Sequence, residues 1–115
     1  MSAHKFQQAL AGLRSTDSLT YEESYHTLQG DFLSKHLDEV IDVLKKEADP
    51  EIRGRLVELV GDSKEERVVP ILKAELDHAT VEIRRWALHA LGCVDSPSAR
   101  EISRLHIQQH PEDAP

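Results

Sequence analysis

Cysteine and aromatic residues are scarce in this chain, which has one Cys, one Trp, two Tyr and two Phe among 115 residues. A lone thiol, Cys93, closes no internal disulfide, so a disulfide-stapled scaffold is excluded. Cations are in deficit too, with 14 Lys plus Arg against 21 Asp plus Glu for a net charge of −7. An acidic surface poor in aromatic rings repels phosphate and offers few stacking platforms, so nucleic acid is not an expected partner. Long apolar runs are missing. The best of them, Val68-Val69-Pro70-Ile71-Leu72, is broken by a proline and falls far short of the roughly 20 residues a membrane span needs. Met1 to Gln8 carry no apolar leader core, which points to a cytoplasmic protein. What is present, 39% hydrophobic and 30% charged residues, suits one domain with a modest core and a solvated surface.

The dominant pattern is internal repetition. A shift of 31 residues superimposes Gly30, Gly61 and Gly92, and the same shift superimposes Tyr21, Ile52 and Ile83. The register runs on through Phe6, Leu37 and Val68, through Leu10, Ile41 and Leu72, and through Leu28, Leu59 and Ala90. The last set lies two residues before each glycine, the place for a final helical turn packing ahead of a glycine C-cap.

Apolar positions recur at spacings of three and four, as in Leu37, Val40, Ile41 and Leu44, then Ile52, Leu56, Leu59 and Val60, which predicts two helices per unit. Asp49-Pro50-Glu51 separates them in the second unit: Asp caps, Pro suits the first helical position and Glu favours the positive helix end. Ala79-Thr80-Val81-Glu82 does so in the third unit, and Ser15 to Thr20 forms a looser break in the first. After Asp95-Ser96-Pro97 a further helix carries Ile102 and Leu105, and Pro111 to Pro115 has nothing to bury. The expected architecture is therefore all-α. It comprises one domain over 1–115, a short α-solenoid of three antiparallel helix pairs (units about 4–30, 35–61 and 66–92), a capping helix over 97–110 and a frayed tail over 111–115. One pair of helices cannot bury enough apolar surface to offset its ordering, so the units must share a core.

Val69-Pro70-Ile71-Leu72 followed by Val81-Glu82-Ile83-Arg84-Arg85-Trp86-Ala87-Leu88-His89-Ala90-Leu91-Gly92 closely resembles a HEAT-like repeat of the phycobilisome-lyase type, as does Asp49-Pro50-Glu51-Ile52-Arg53. The resemblance spans about 37–95 and fades over 1–30, where Glu22 replaces the arginine found at 53 and 84. It implies stacked helix pairs whose second helices line a concave face. It also implies that Arg53 and Arg84 clamp nearby acceptors, for which Asp49 or Asp62 is available. Trp86 departs from the small residue usual there and needs room that Ala does not.

Catalytic or metal-binding sets are not assembled by the sequence, so no cofactor is expected. His106 and His110 have ligand-compatible i,i+4 spacing, but beside Pro111 they read as a solvated surface pair. HEAT-like iron hydroxylases use His-Glu pairs, and the chain contains no such dipeptide. HEAT-like DNA glycosylases need a basic groove, while the Trp86 helix offers only Arg84 and Arg85. Cys93 follows Gly92 at a helix end that disfavours a thiolate, and reads as a packed thiol.

Glu23, Thr27, Glu58, Arg85 and His89 lie opposite the core stripe of the second helices and are the candidate protein-binding residues, although any solvated helix face has this character. Residues 32–62 hold eight acids against five bases, which suggests either i,i+4 pairing of Asp38, Glu39 and Asp42 with Lys45 and Lys46 one turn on or an acidic patch for a basic partner. The expected function is a non-catalytic protein–protein interaction module or adaptor with a protein partner, a basic one if the acidic patch is the recognition surface. The alternatives are a small acidic inhibitor or immunity-type protein that neutralises a basic enzyme, and a subunit of a lyase-like enzyme. Self-association is a further possibility, through an open apolar edge at Phe6, Phe32 and Leu33.

Overall fold

Each break read from the sequence starts a helix, and at three of the four a polar side chain satisfies free amides of the first turn, whereas Thr80 stands at the start of its helix without a side-chain bond. Asp17 accepts from the Thr20 amide at 3.0 Å, Asp49 from those of Glu51 and Ile52 at 2.9 and 3.2 Å, and Ser96 from that of Ala99 at 3.2 Å. The computed structural model describes residues 3–115, so Met1 and Ser2, which open the stretch read for a leader and the 1–115 domain range, lie outside the described residues. The helices are α1 (Ala3–Gly12), α2 (Ser18–Leu28), α3 (Asp31–Lys46), α4 (Pro50–Asp62), α5 (Val69–Glu75), α6 (Val81–Val94) and α7 (Pro97–Gln109). Single 3-10 turns at Glu66–Val68 and Pro111–Asp113 precede α5 and follow α7. Among the described residues there is no strand.

The result is the expected all-α repeat, three antiparallel helix pairs and a C-terminal helix, drawn out to 43 × 27 × 22 Å. One core runs its length. Leu28, Leu59 and Ala90 are each wholly buried, as are Leu37, Val68, Leu56 and Ala87 to within 1%. Full burial of a Leu or Val stabilises by about 1.5–3 kcal/mol, so the 31-residue register is a register of core contacts.

Three expectations are overturned. Gly61 and Gly92 do not cap helices: both lie inside them, and α6 ends instead at Asp95 in the left-handed conformation (φ 51°). Gly61 is required by crowding, because a Cβ there would meet the Cβ of Ala90 at 2.5 Å, while Gly30 caps the start of α3 with φ 74°. The apolar edge does not exist either. Phe6, Phe32 and Leu33 are 1%, 5% and 2% exposed, because α3 starts ahead of residue 35 and bends at His36 (φ −116°), whose ring stacks on Phe6 at 4.3 Å. Finally, residues 111–113 are not frayed: they form a 3-10 turn that folds the carboxylate of Asp113 into complete burial.

Candidate functional site

The two clamp arginines hold successive units together. Arg53 donates from Nε and Nη2 to the two oxygens of Glu75 at 2.7 and 3.0 Å, and from Nη1 to the Glu47 carbonyl at 2.7 Å. Arg84 repeats this one unit later, with Asp113 at 2.9 and 3.2 Å and the carbonyls of His78 and Ala79 at 2.9 and 3.1 Å. Their acceptors are thus Glu75 and Asp113, not Asp49, which caps α4, or Asp62, which accepts from Tyr25 and Gln29. The residue 31 places after Glu75 is His106, which bears no carboxylate, and Asp113 folds back to supply one. His106 Nε2 lies 2.7 Å from Asp113 Oδ2, and its side chain is only 9% exposed, so it is a structural partner rather than half of a solvated pair. Hydrogen bonds from Arg84 first, and then from His106, hold the Asp113 carboxyl down to about 2. The first unit has Glu22 at the arginine position and Leu44 at the acceptor position, so both halves of the clamp are missing together.

The clamps tie α4 to α5 and α6 to the C-terminal turn, while α4 and α6 pack directly on each other, and the face they share carries the candidate site. Trp86 is 37% exposed, its indole resting on α4 where Gly54 provides the room: a Cβ at 54 would meet Trp86 Cδ1 at 2.8 Å. On one side of the ring Glu58, Glu82, Arg85 and His89 line a shallow groove of about 420 Å³. On the other, Tyr21, Glu51, Arg55 and Thr80 share a hollow of about 620 Å³ with Glu82 and Trp86. Arg55 stacks over Tyr21 at 4.3 Å and donates to the Leu13 and Ser15 carbonyls, binding α4 to the break between α1 and α2.

The structure brings three of the five candidate binding residues together and separates two. Glu58, Arg85 and His89 meet beside Trp86. Glu23 and Thr27 line a hollow of about 200 Å³ against Lys5 and Gln8 of α1 instead, and the Thr27 hydroxyl is turned back to the Glu23 carbonyl at 2.9 Å. Trp86 and Glu82 were missed as site residues. A sequence signal existed in Gly54, a helical glycine outside the 31-residue glycine ladder and so in need of its own neighbour.

Electrostatically the groove sets two carboxylates, Glu58 and Glu82, beside the Arg85 guanidinium and the His89 imidazole. Burial first, then the adjacent Asp62 charge, pushes the Glu58 carboxyl above its ordinary range, with His89 opposing. Among the described residues neither Glu58 nor Glu82 takes part in an ion pair, whereas two acids of α3 do: Asp38 with Arg67 at 2.5 Å and Glu39 with His36 at 3.0 Å, not with Lys45 or Lys46. Burial also raises the Cys93 thiol, which lies 3.8 Å from His89 Nε2. Among the described residues there is no cluster of His, Cys, Asp and Glu suited to a metal ion, and no helix long and apolar enough to cross a membrane.

A family model for HEAT repeats matches residues 37–105, the stretch that contains Arg53, Arg84 and the groove formed by Glu58, Glu82, Arg85, Trp86 and His89. No curated protein and no solved structure matches the chain. Matched over more than half of its length, and folded into the stacked helix pairs that match implies, the chain belongs to the HEAT-repeat family.

Proposed function

We propose that this protein is a non-catalytic interaction module that holds a protein partner on the face lined by α2, α4 and α6, with Trp86 at the centre of the contact. HEAT repeats in general mediate protein–protein interaction. The observation that carries the reading is an exposed indole flanked by two carboxylates, Glu58 and Glu82, that have no ion-pair partner among the described residues. An aromatic face rimmed by acids suits a Lys or Arg side chain, through cation–π attraction and charge-assisted hydrogen bonds together. The partner's contacting segment is therefore basic. The same acidity favours, as a second reading, a small acidic protein that blocks a basic enzyme.

Trp86 is the chain's one tryptophan, so its fluorescence reports on the groove itself. Titration with a short arginine-rich peptide is expected to change that emission saturably, and added salt or a Glu58→Gln/Glu82→Gln variant is expected to abolish the change. In parallel, the protein used as bait in its native lysate should retain one stoichiometric partner that a Trp86→Ala variant loses. A partner kept by Trp86→Ala would overturn the assignment of the face. If that partner is an enzyme whose activity the protein suppresses, the inhibitor reading stands over the adaptor.

A further inference from the structure

A groove of about 600 Å³ lies between α6 and α7, away from the Glu58 side of Trp86. Repeat arithmetic gives it a meaning. The face of α4 that receives α6 presents Gly54 under Trp86, Val57, which is wholly buried, and Gly61 under Ala90. One period of 31 residues later these positions are Arg85, Leu88 and Gly92, and all three line the groove. Its other wall is α7, which stands one period after the Glu66–Val68 turn and α5. The groove is thus bounded like the seat that α6 fills on α4, but within residues 3–115 no helix fills it, and Asp113 and Pro115 of the C-terminal turn form only part of the wall.

Gly92 is the second observation. Glycine is unfavourable in a helix interior unless something needs the space, and Gly61 has that reason in the crowding by Ala90. At Gly92 an added Cβ would meet nothing within 4 Å, so the chain itself supplies no close approach there. The third is charge. Arg85, Arg100 and Arg104 stand around apolar Leu88 and Ile107. Among the described residues Arg85 meets only the Glu112 carbonyl, at 3.4 Å, while Arg100 pairs with Asp95 and Arg104 with both oxygens of Glu101 in pairs exposed to solvent.

We propose that this groove is a second docking site that takes an amphipathic helix of a partner protein, with a small residue crossing Gly92, apolar residues against Leu88 and Ile107, and acidic residues facing Arg85, Arg100 and Arg104. The helix sits where the second helix of a further repeat would lie. The site adjoins the Trp86 groove, with which it shares Arg85 and His89, and differs from it in the cations that α7 adds, Arg100 and Arg104, so one module can join a basic segment to an acidic helix.

The probe is a fluorescein-labelled peptide of the α6 sequence, Val81 to Val94, with Arg84→Glu, Arg85→Glu, His89→Glu and Cys93→Ser, constrained as a helix by a side-chain lactam. Its control carries Cys93→Ser alone. Fluorescence anisotropy with the full chain is expected to show saturable, salt-sensitive binding of the acidic peptide, roughly tenfold tighter than the control. Gly92→Leu, which fills open space, is expected to weaken it roughly tenfold with helical circular dichroism retained and a thermal midpoint no lower than that of the wild type. Trp86→Ala should leave it unchanged, which separates failure here from failure of the Trp86 face. Equal binding of the two peptides, no saturable binding, or undiminished binding to Gly92→Leu each overturns the proposal. So does a dimer in sedimentation that Gly92→Leu dissociates, which assigns the seat to a second copy of the chain.

Discussion

Gly61 of α4 and Ala90 of α6 meet so closely that a methyl group at position 61 would lie 2.5 Å from the Ala90 Cβ and 2.8 Å from its Cα. This contact sets the spacing of the second and third units, and Gly92, its repeat equivalent, has no such neighbour.

Identical substitutions at the two positions therefore have opposite effects. Gly61→Ala overpacks a buried helix crossing and should destabilise by about 1–3 kcal/mol, whereas Gly92→Ala relieves an unfavourable helical glycine and should stabilise by about 0.5–1 kcal/mol. Urea unfolding of both variants measures the difference. Equal effects would mean that the two glycines are not distinguished by their surroundings.

The clamp between α4 and α5 is nearly dry, with the side chains of Arg53 and Glu75 17% and 7% exposed. Glu75→Ala strands the guanidinium and should destabilise by about 3–5 kcal/mol, far more than removal of the exposed Glu101 does. A Glu75→Ala/Arg53→Met double variant should recover a large part of the loss, since apolar replacement of both partners removes the stranded charge. Thermal unfolding of the single and double variants reads this directly.

Asp113 makes the C-terminal turn sensitive to acid. Its carboxyl titrates lower when folded, at about 2, than its ordinary 3.8, so the native state holds the charged form more strongly than the unfolded chain does. The stabilisation is complete above 3.8 and is lost as pH falls through that value towards about 2. The stability difference between wild type and Asp113→Asn should shrink over that acid window, as followed by denaturant unfolding at each pH. A difference that stays constant to the acid end would remove the carboxylate from the turn's energetics.

Glu58 has the opposite shift, and the consequence concerns binding. Because burial and Asp62 raise its carboxyl, the charge is present only above a pH higher than an ordinary glutamate sets. Affinity for a basic segment should therefore begin to fall, as pH is lowered, before the ordinary carboxylate range is reached, and Glu58→Gln should abolish that early limb. Trp86 fluorescence titrations at stepped pH provide the measurement.

Much of the fold was legible because core contacts recur with the repeat. Leu28, Leu59 and Ala90, wholly buried in all three units, stand at one interval, and Asp17, Asp49 and Ser96 cap helices through bonds confined to a few neighbouring residues. The candidate site was half legible. Spacing along one helix placed Arg85 and His89 on one face, yet only stacking brings Glu58 to them from α4 and sends Glu23 and Thr27 to α1.

The sequence by itself determined the repeat, the capped starts of α2, α4 and α7 and the amphipathic faces, since each depends on residues a turn or two apart. Only the tertiary structure decided which carboxylate answers each arginine, why Gly61 is glycine and where Trp86 finds room. Those contacts join residues 22 to 32 places apart, and Asp113 reaches Arg84 through a fold-back that no repeat interval encodes.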